Sequence, residues 1–251
     1  SGDFFETYRP TPDAMMHAIV LLNRLKNANI PFILTEGNHD MRRGTHLNSV
    51  LNILEAAGVA KHVRVVPTDK CDILEHTEVN GIKIYGLGYI RGANNKAALE
   101  KYASMIDGKE NIILIHIGIT GSDQKSKDVD SINGQTLANV FKDKYIYIGL
   151  GHYHSSKELL DLNIVQAGAT ERWKIDDSPE KNFYYCEYEN GKLNITKEKI
   201  NTRPWLVFKH KYDDFDQAMR DLRNWVDQNK DKKDTFPGRS KYSQFPIYYI
   251  H

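Results

Sequence analysis

Residues 30–40 read Ile30-Pro31-Phe32-Ile33-Leu34-Thr35-Glu36-Gly37-Asn38-His39-Asp40. A short, almost wholly apolar run stops at a glycine and then delivers an amide, an imidazole and a carboxylate in succession. The run reads as a buried strand. The cluster behind it falls where open α/β sheets build their sites, in the loops beyond the carboxyl ends of the strands. The same grammar recurs. Gly2-Asp3 stands at the start, His116 closes the apolar strand 111–117, and Gly151-His152-Tyr153-His154 follows the strand 145–150. Gly37 and Gly151 are expected to let the backbone turn sharply so that Asn38 and His152 point inward.

Working outward, helices are expected over 12–29, 45–57, 96–106 and 135–142. The first opens on a proline and carries Ala14, Met15, Ile19, Val20, Leu22 and Leu25. The second carries Leu47, Val50, Leu51, Ile53 and Leu54 and stops at Gly58. Short strands are expected at 62–67 and 163–167, and a polar loop over 119–133. Asn80-Gly81 and Asn190-Gly191 each sit between strand-like runs, at 75–79 and 82–89 and within 183–200, and predict two tight hairpins. Alternating units first and hairpins later predict an α/β fold, two mixed sheets in a sandwich flanked by helices. After Arg203-Pro204-Trp205 the pattern changes to one amphipathic helix over 215–226, with Phe215, Met219, Leu222 and Val226 on one face. A charged, mobile stretch over 230–243 and a strand at 245–250 follow. The expected division is a domain over 1–202 and a partial second domain over 203–251.

The chain has 251 residues, with 34 Lys and Arg against 33 Asp and Glu, so its net charge of +1 gives no global support for nucleic-acid binding. Any basic surface must be local. Its length suffices to bury a core without disulfides. Cys71 and Cys186, far apart and in no motif, read as free buried thiols, which fits a reducing compartment. No run reaches the length of a membrane helix.

Taken singly, these motifs are ordinary. A lone Gly-Asp is usually a turn, a lone histidine at a strand end is usually hydrogen-bonded structure, and Asn-His-Asp can cap a helix. Together they form an ordered series, each member behind a strand, that would bring one carboxylate, one amide oxygen and three imidazoles into one pocket. Such a set without thiolates suits Mn, Fe or Zn. A carboxylate can bridge two cations, and two cations roughly 3.5–4 Å apart can clamp both oxygens of an in-line phosphoryl displacement.

The order Gly-Asp, Gly-Asn-His-Asp, His, Gly-His-x-His resembles the calcineurin-like metallophosphoesterase superfamily. Within it, Ser1-Gly2-Asp3-Phe4-Phe5 with Arg9-Pro10, Arg42-Arg43 after the second motif, Leu150 to His154, Ala167 to Arg172, and Arg203-Pro204-Trp205 resemble the nuclease subunit of the double-strand-break repair complex, the meiotic recombination eleven nuclease or its bacterial SbcD counterpart. The resemblance implies a metal-dependent DNA nuclease, exonucleolytic on duplex ends and endonucleolytic on single strands, which hydrolyses phosphodiesters by two-metal activation of water. It also implies that residues 203–251 begin a DNA-capping domain. Asp3 would bridge two divalent ions, most fittingly Mn2+. Asn38, His116 and His152 would complete one metal, and His154 would serve the other. His39 would be the catalytic histidine, donating a proton to the leaving oxygen or stabilising charge. The family's first motif, a D-x-H strand, is absent here because the chain opens at Gly-Asp, so one metal site is expected to be incomplete, with at most one ion held tightly and little nuclease activity.

The family also implies a homodimer and an SMC-like ATPase partner. The dimer has physical support, because helices 12–29 and 45–57 are apolar over more than one stripe and are therefore expected to be buried on more than one face. For DNA, the expected phosphate-holding residues are Tyr8, Arg9, Arg42, Arg43, Arg91 and Arg172, which would grip the backbone without reading bases. The remaining histidines read as structural or exposed, and Tyr184, Tyr185, Trp205, Tyr248 and Tyr249 as packing rather than base-stacking groups. The expected location is the cytoplasm of a prokaryote, at the nucleoid, or the nucleus of a eukaryote. Two other functions fit the same core: a phosphodiesterase or phosphatase acting on nucleotides or phosphoproteins, and a metal-poor scaffold without catalysis.

Overall fold

The computed structural model describes residues 1–43, 48–91, 95–120, 130–174, 177–202, 205–208, 211, 214–230 and 247–250. By contacts the chain divides into two units, Ser1–Gly168 with Cys186–Ile195, and Ala169–Tyr185 with Thr196–His251.

The first unit opens with α1 (Pro12–Asn27), whose start is fixed locally. The Thr11 side chain accepts the Ala14 N–H, Pro12 occupies the first turn, and Arg24 and Lys26 face the carbonyl end. Left-handed Asn29 (φ 57°) then turns the chain. The helix therefore ends two residues before the expected Asn29. Strand β1 (Ile33–Leu34) pairs in parallel with β2 (Lys61–His62), and between them lies α2 (Leu51–Ala56). Helix α2 is shorter than expected. Ser49 Oγ donates to the Asp40 carbonyl and accepts the Leu51 N–H, which holds the residues before 51 out of the helix. Residues 44–47, including Leu47, lie outside the described residues. Phe5, Ala18, Leu22, Leu34, Leu51, Leu54 and Val59 close a first apolar core around these elements.

Next come β3 (Val65–Val66), β4 (Ile73–Leu74), β5 (His76–Val79), β6 (Ile82–Tyr89), α3 (Asn95–Met105), β7 (Asn111–His116), β8 (Gly118–Thr120), β9 (Ser131–Asn133), α4 (Gly134–Val140), β10 (Tyr147–Leu150), β11 (Lys157–Leu159) and β12 (Ile164–Gln166). Six of them form one mixed sheet in the order β11-β12-β10-β7-β6-β5. Its four inner strands run parallel, and β5 and β11 close the edges antiparallel. Asn80 and Gly81, with φ of 51° and 81°, make the expected β5–β6 hairpin. A larger core packs α3 and α4 against this sheet through Leu99, Ile106, Leu137, Phe141, Ile113, Ile115 and Ile148, all essentially fully buried. The expected loop over 119–133 is bracketed by β8 and β9, which pair in parallel, while 121–129 lie outside the described residues. The remaining strands among the described residues form two-stranded pairs.

Strands β13 (Lys181–Glu189) and β14 (Lys192–Ile200) make the second hairpin, turning at Asn190 and Gly191. The second unit contains β15 (Trp205–Phe208), parallel to β16 (Ile247–Ile250), and α5 (Phe215–Asn229), whose Asp214 cap accepts the Asp216 and Gln217 N–H groups. Trp225 of α5 meets Phe208 at 5.4 Å. Phe215, expected on the apolar face, is 65% exposed. Arg203, Pro204 and 231–246 lie outside the described residues. Two further expectations are corrected. Cys71 and Cys186 are free but exposed, and Tyr185 stands open at 54% exposure.

Candidate metal centre

The four inner strands of the sheet end together. Tyr89 pairs with His116 in register, Ile115 with Leu150, and Leu150 with Gln166. This alignment sets His116 beside Gly151, whose N–H donates to the Ile115 carbonyl at 3.1 Å. His116 is 1% exposed. Its ring stands 5.2 Å from that of His152, and Tyr89 lies edge-on to His116 and tilted against His152.

Against this pair come the two loops from the other core. The His116 Nε2 atom lies 3.1 Å from Asp3 Oδ2 and 3.0 Å from Asn38 Oδ1, and His152 Nδ1 lies 3.2 Å from the same Asn38 oxygen. Asp3, Asn38, His116 and His152 are thus brought together directly. His154 stands two residues further on in the same loop, half-buried.

Asp40 sets the approach of these loops. Fully buried, it accepts the Gly37 N–H at 2.7 Å on one oxygen and the Phe4 and Phe5 N–H groups at 2.6 and 3.4 Å on the other. Burial pushes its carboxyl up from the ordinary value, against the pull of those amides. Asp3 in turn accepts the His39 N–H at 2.9 Å. Burial alone would raise the Asp3 carboxyl, but the His116 hydrogen bond and charge and the His39 amide together outweigh it and hold it below the usual value.

The glycines act differently from expectation. Neither Gly37 nor Gly151 has positive φ; the left-handed residues are Asp3 (φ 53°) and His152 (φ 80°) themselves. A side chain at Gly37 would collide with Asp3, and one at Gly151 with the Ser1 carbonyl and the His116 ring. These glycines permit close approach of segments, while strain is carried by two of the clustered residues, as at many functional sites.

The donor set fits a cation. His116 Nδ1 donates to the Ser1 carbonyl at 2.7 Å, so Nε2 faces the Asp3 and Asn38 oxygens, where it can share a proton with them or, once that proton leaves, offer a lone pair. Acceptors that face one another repel unless a proton or a cation lies among them. The spacing also agrees, since two ligands about 2.1 Å from a cation and at right angles stand about 3 Å apart. A ring nitrogen bonded to a carbonyl opposite the ligand face is the usual support of a metal-binding histidine. Among the described residues, no three His, Cys, Asp and Glu side chains alone form a group that could hold a metal ion. The cluster closes only through the Asn38 oxygen.

His39 is not in that chain of contacts through its ring. Its Nδ1 donates to the Glu6 carbonyl at 2.8 Å, which leaves Nε2 to exchange a proton. Beside it, Tyr8, Arg9, Arg42 and Arg43 line one open cleft of about 670 Å3 with Asn48 and Asn52. The Arg9 and Arg43 guanidiniums lie 5.2 and 5.4 Å from the Tyr8 ring centre, and Arg43 also donates to the Asn38 carbonyl at 2.9 Å. Arg91 is exposed just after β6. Arg172 belongs to the second unit, its guanidinium over the Trp205 ring at 4.8 Å.

Parallel strands that end on imidazoles, met there by a carboxylate and an amide from two other loops, follow the site plan of α/β folds, beyond the strand ends. The chain is similar over most of its length to curated DNA double-strand break repair proteins Mre11 of archaea. It is 22% identical to that of Methanosarcina mazei over 91% of this chain and 35% of the relative. The figures are 25%, 94% and 60% for Sulfurisphaera tokodaii, and 29%, 62% and 38% for Saccharolobus solfataricus. The chain therefore spans about a third to three fifths of the length of these relatives. No family model matches it. The resemblance read from the motifs holds.

Proposed function

We propose that the chain carries the catalytic part of a metal-dependent DNA nuclease of double-strand-break repair, built on a calcineurin-like metallophosphoesterase sandwich, with residues 203–251 beginning a DNA-capping domain. The observation that carries this reading is the direct contact of Asp3, Asn38, His116 and His152 at the strand ends. Its support from comparison is the similarity to repair proteins named Mre11.

In this reading Asp3, Asn38, His116 and His152 hold one divalent cation, with Mn2+ the best fit, and Asp3 and His154 contribute to a second. The chemistry such cations supply is polarisation of the phosphate and acidification of a water. His39 Nε2 gives a proton to the leaving oxygen, its ring held by the Glu6 carbonyl. Arg9, Arg42 and Arg43 hold backbone phosphates. Because Tyr8 is already stacked by two guanidiniums, the cleft favours charge over base stacking and so sequence-independent binding. Exonuclease action on duplex ends and endonuclease action on single strands, the SMC-like ATPase partner and a homodimer through α1 and α2 complete the proposal. Apolar Met16, Val20 and Leu21 on α1 and Ile53 on α2 are more than half exposed and support the dimer.

The test is hydrolysis of labelled duplex and single-stranded DNA with Mn2+, together with duplex affinity at several salt concentrations. Weak Mn2+-dependent cleavage, in keeping with one incomplete metal site, and an affinity that falls steeply with salt are expected. Cleavage of nucleotides or phosphopeptides alone, with salt-insensitive binding, would replace this reading by a small-substrate phosphodiesterase.

A further inference from the structure

We propose that Gln166 is a positioning residue that fixes the spacing between the two histidine-bearing segments of the centre; the inference rests on the metal reading above. Gln166 ends β12 and is 1% exposed. An amide so deeply buried is costly unless both of its ends are bonded. Here both are, one to strand β8 and the other to the loop after His154. Its Oε1 accepts the Ile119 N–H at 3.0 Å, and its Nε2 donates to the Ser155 carbonyl at 2.7 Å. Ile119 lies three residues after His116, and Ser155 directly follows His154. One side chain thus bridges the backbone leaving His116 and the backbone leaving His152 and His154.

A second contact reinforces the bridge. Gly168, left-handed with φ 80°, lies so close to the same loop that a Cβ there would stand 2.8 Å from the His154 carbonyl oxygen and 2.9 Å from the Ser156 nitrogen. The segment following Gln166 is therefore pressed against the residues whose carbonyl the amide holds. Glutamine suits the position because it offers an acceptor and a donor at once. An ionised glutamate of the same shape has acceptors only, and methionine has at best a weak acceptor.

The test compares Mn2+ uptake, read by the loss of the free-ion paramagnetic resonance signal, in the wild type, Gln166→Glu, Gln166→Met and Leu99→Ala. Leu99 is fully buried in α3, so its variant is destabilised without touching either loop. Both Gln166 variants are expected to bind Mn2+ about tenfold more weakly, the usual scale for a residue that orients ligands, with Leu99→Ala binding as the wild type does. Gln166 variants within twofold of the wild type, or an equal loss in Leu99→Ala, overturn the proposal. A wild type that takes up no Mn2+ sinks the metal reading itself, and this inference with it.

Discussion

His39 and His62 show how one side chain takes opposite roles from its surroundings. His39 is held at one nitrogen by the Glu6 carbonyl, and the proposed nuclease would use the other for proton transfer. Replacing it by glutamine should lower DNA hydrolysis about 10²- to 10⁴-fold, the usual worth of a general acid. Mn2+ affinity should stay unchanged, and a parallel loss of Mn2+ binding would make His39 a ligand instead. His62 ends β2 and is fully buried, with Asn52 of α2 and Arg64 at its Nδ1. Burial first, then the Arg64 charge, lowers its pKa from 6.5 to about 4. The folded protein therefore keeps this ring neutral while the unfolded chain protonates it, so the unfolded state binds more protons between those values. Stability from this group is full above pH 6.5 and is lost as the pH falls toward 4, by up to about 3 kcal/mol. Urea midpoints measured across pH 4–7 should show that slope in the wild type and a flatter one in His62→Gln. Equal slopes would discount His62 as the source.

At the scale of elements, what the sequence displayed was local. An apolar run before Gly37 and another before Gly151 announced strands with polar ends, and Asn80-Gly81 announced a turn, because each signal lies within a few neighbouring residues. The work of Asp40 was illegible, since its partners Phe4 and Phe5 are over 30 residues away. The same holds for the left-handed backbone of His152, which depends on packing rather than on its own preference. Helix α2 began late for a related reason: Ser49 is bound to the Asp40 carbonyl, and apolar periodicity carries no trace of that bond. Helix α1 supports a prediction of its own. Met16 and Val20, four residues apart, share a face and are 54% and 56% exposed. At micromolar concentration the wild type should sediment as a dimer and Val20→Glu as a monomer with its helix content intact. A wild type that sediments as a monomer removes α1 as an interface.

Over the whole molecule, a balanced charge coexists with an arginine cleft, so the phosphate grip we propose would come from the local arrangement of Tyr8, Arg9, Arg42 and Arg43 and not from composition. Two apolar cores divide the labour of the first unit. One carries α1, β1 and α2 behind Asp3 and Asn38, and the other carries the six-stranded sheet behind His116 and His152. The centre exists only where segments from both meet, and its proposed role requires those side chains to take up a cation. The direct measurement is a Mn2+ titration followed by paramagnetic resonance on the wild type, Asp3→Asn and His116→Gln. Saturable uptake by the wild type, weakened at least tenfold in each variant, is the predicted result. No uptake by the wild type, or the same uptake by all three proteins, would contradict it.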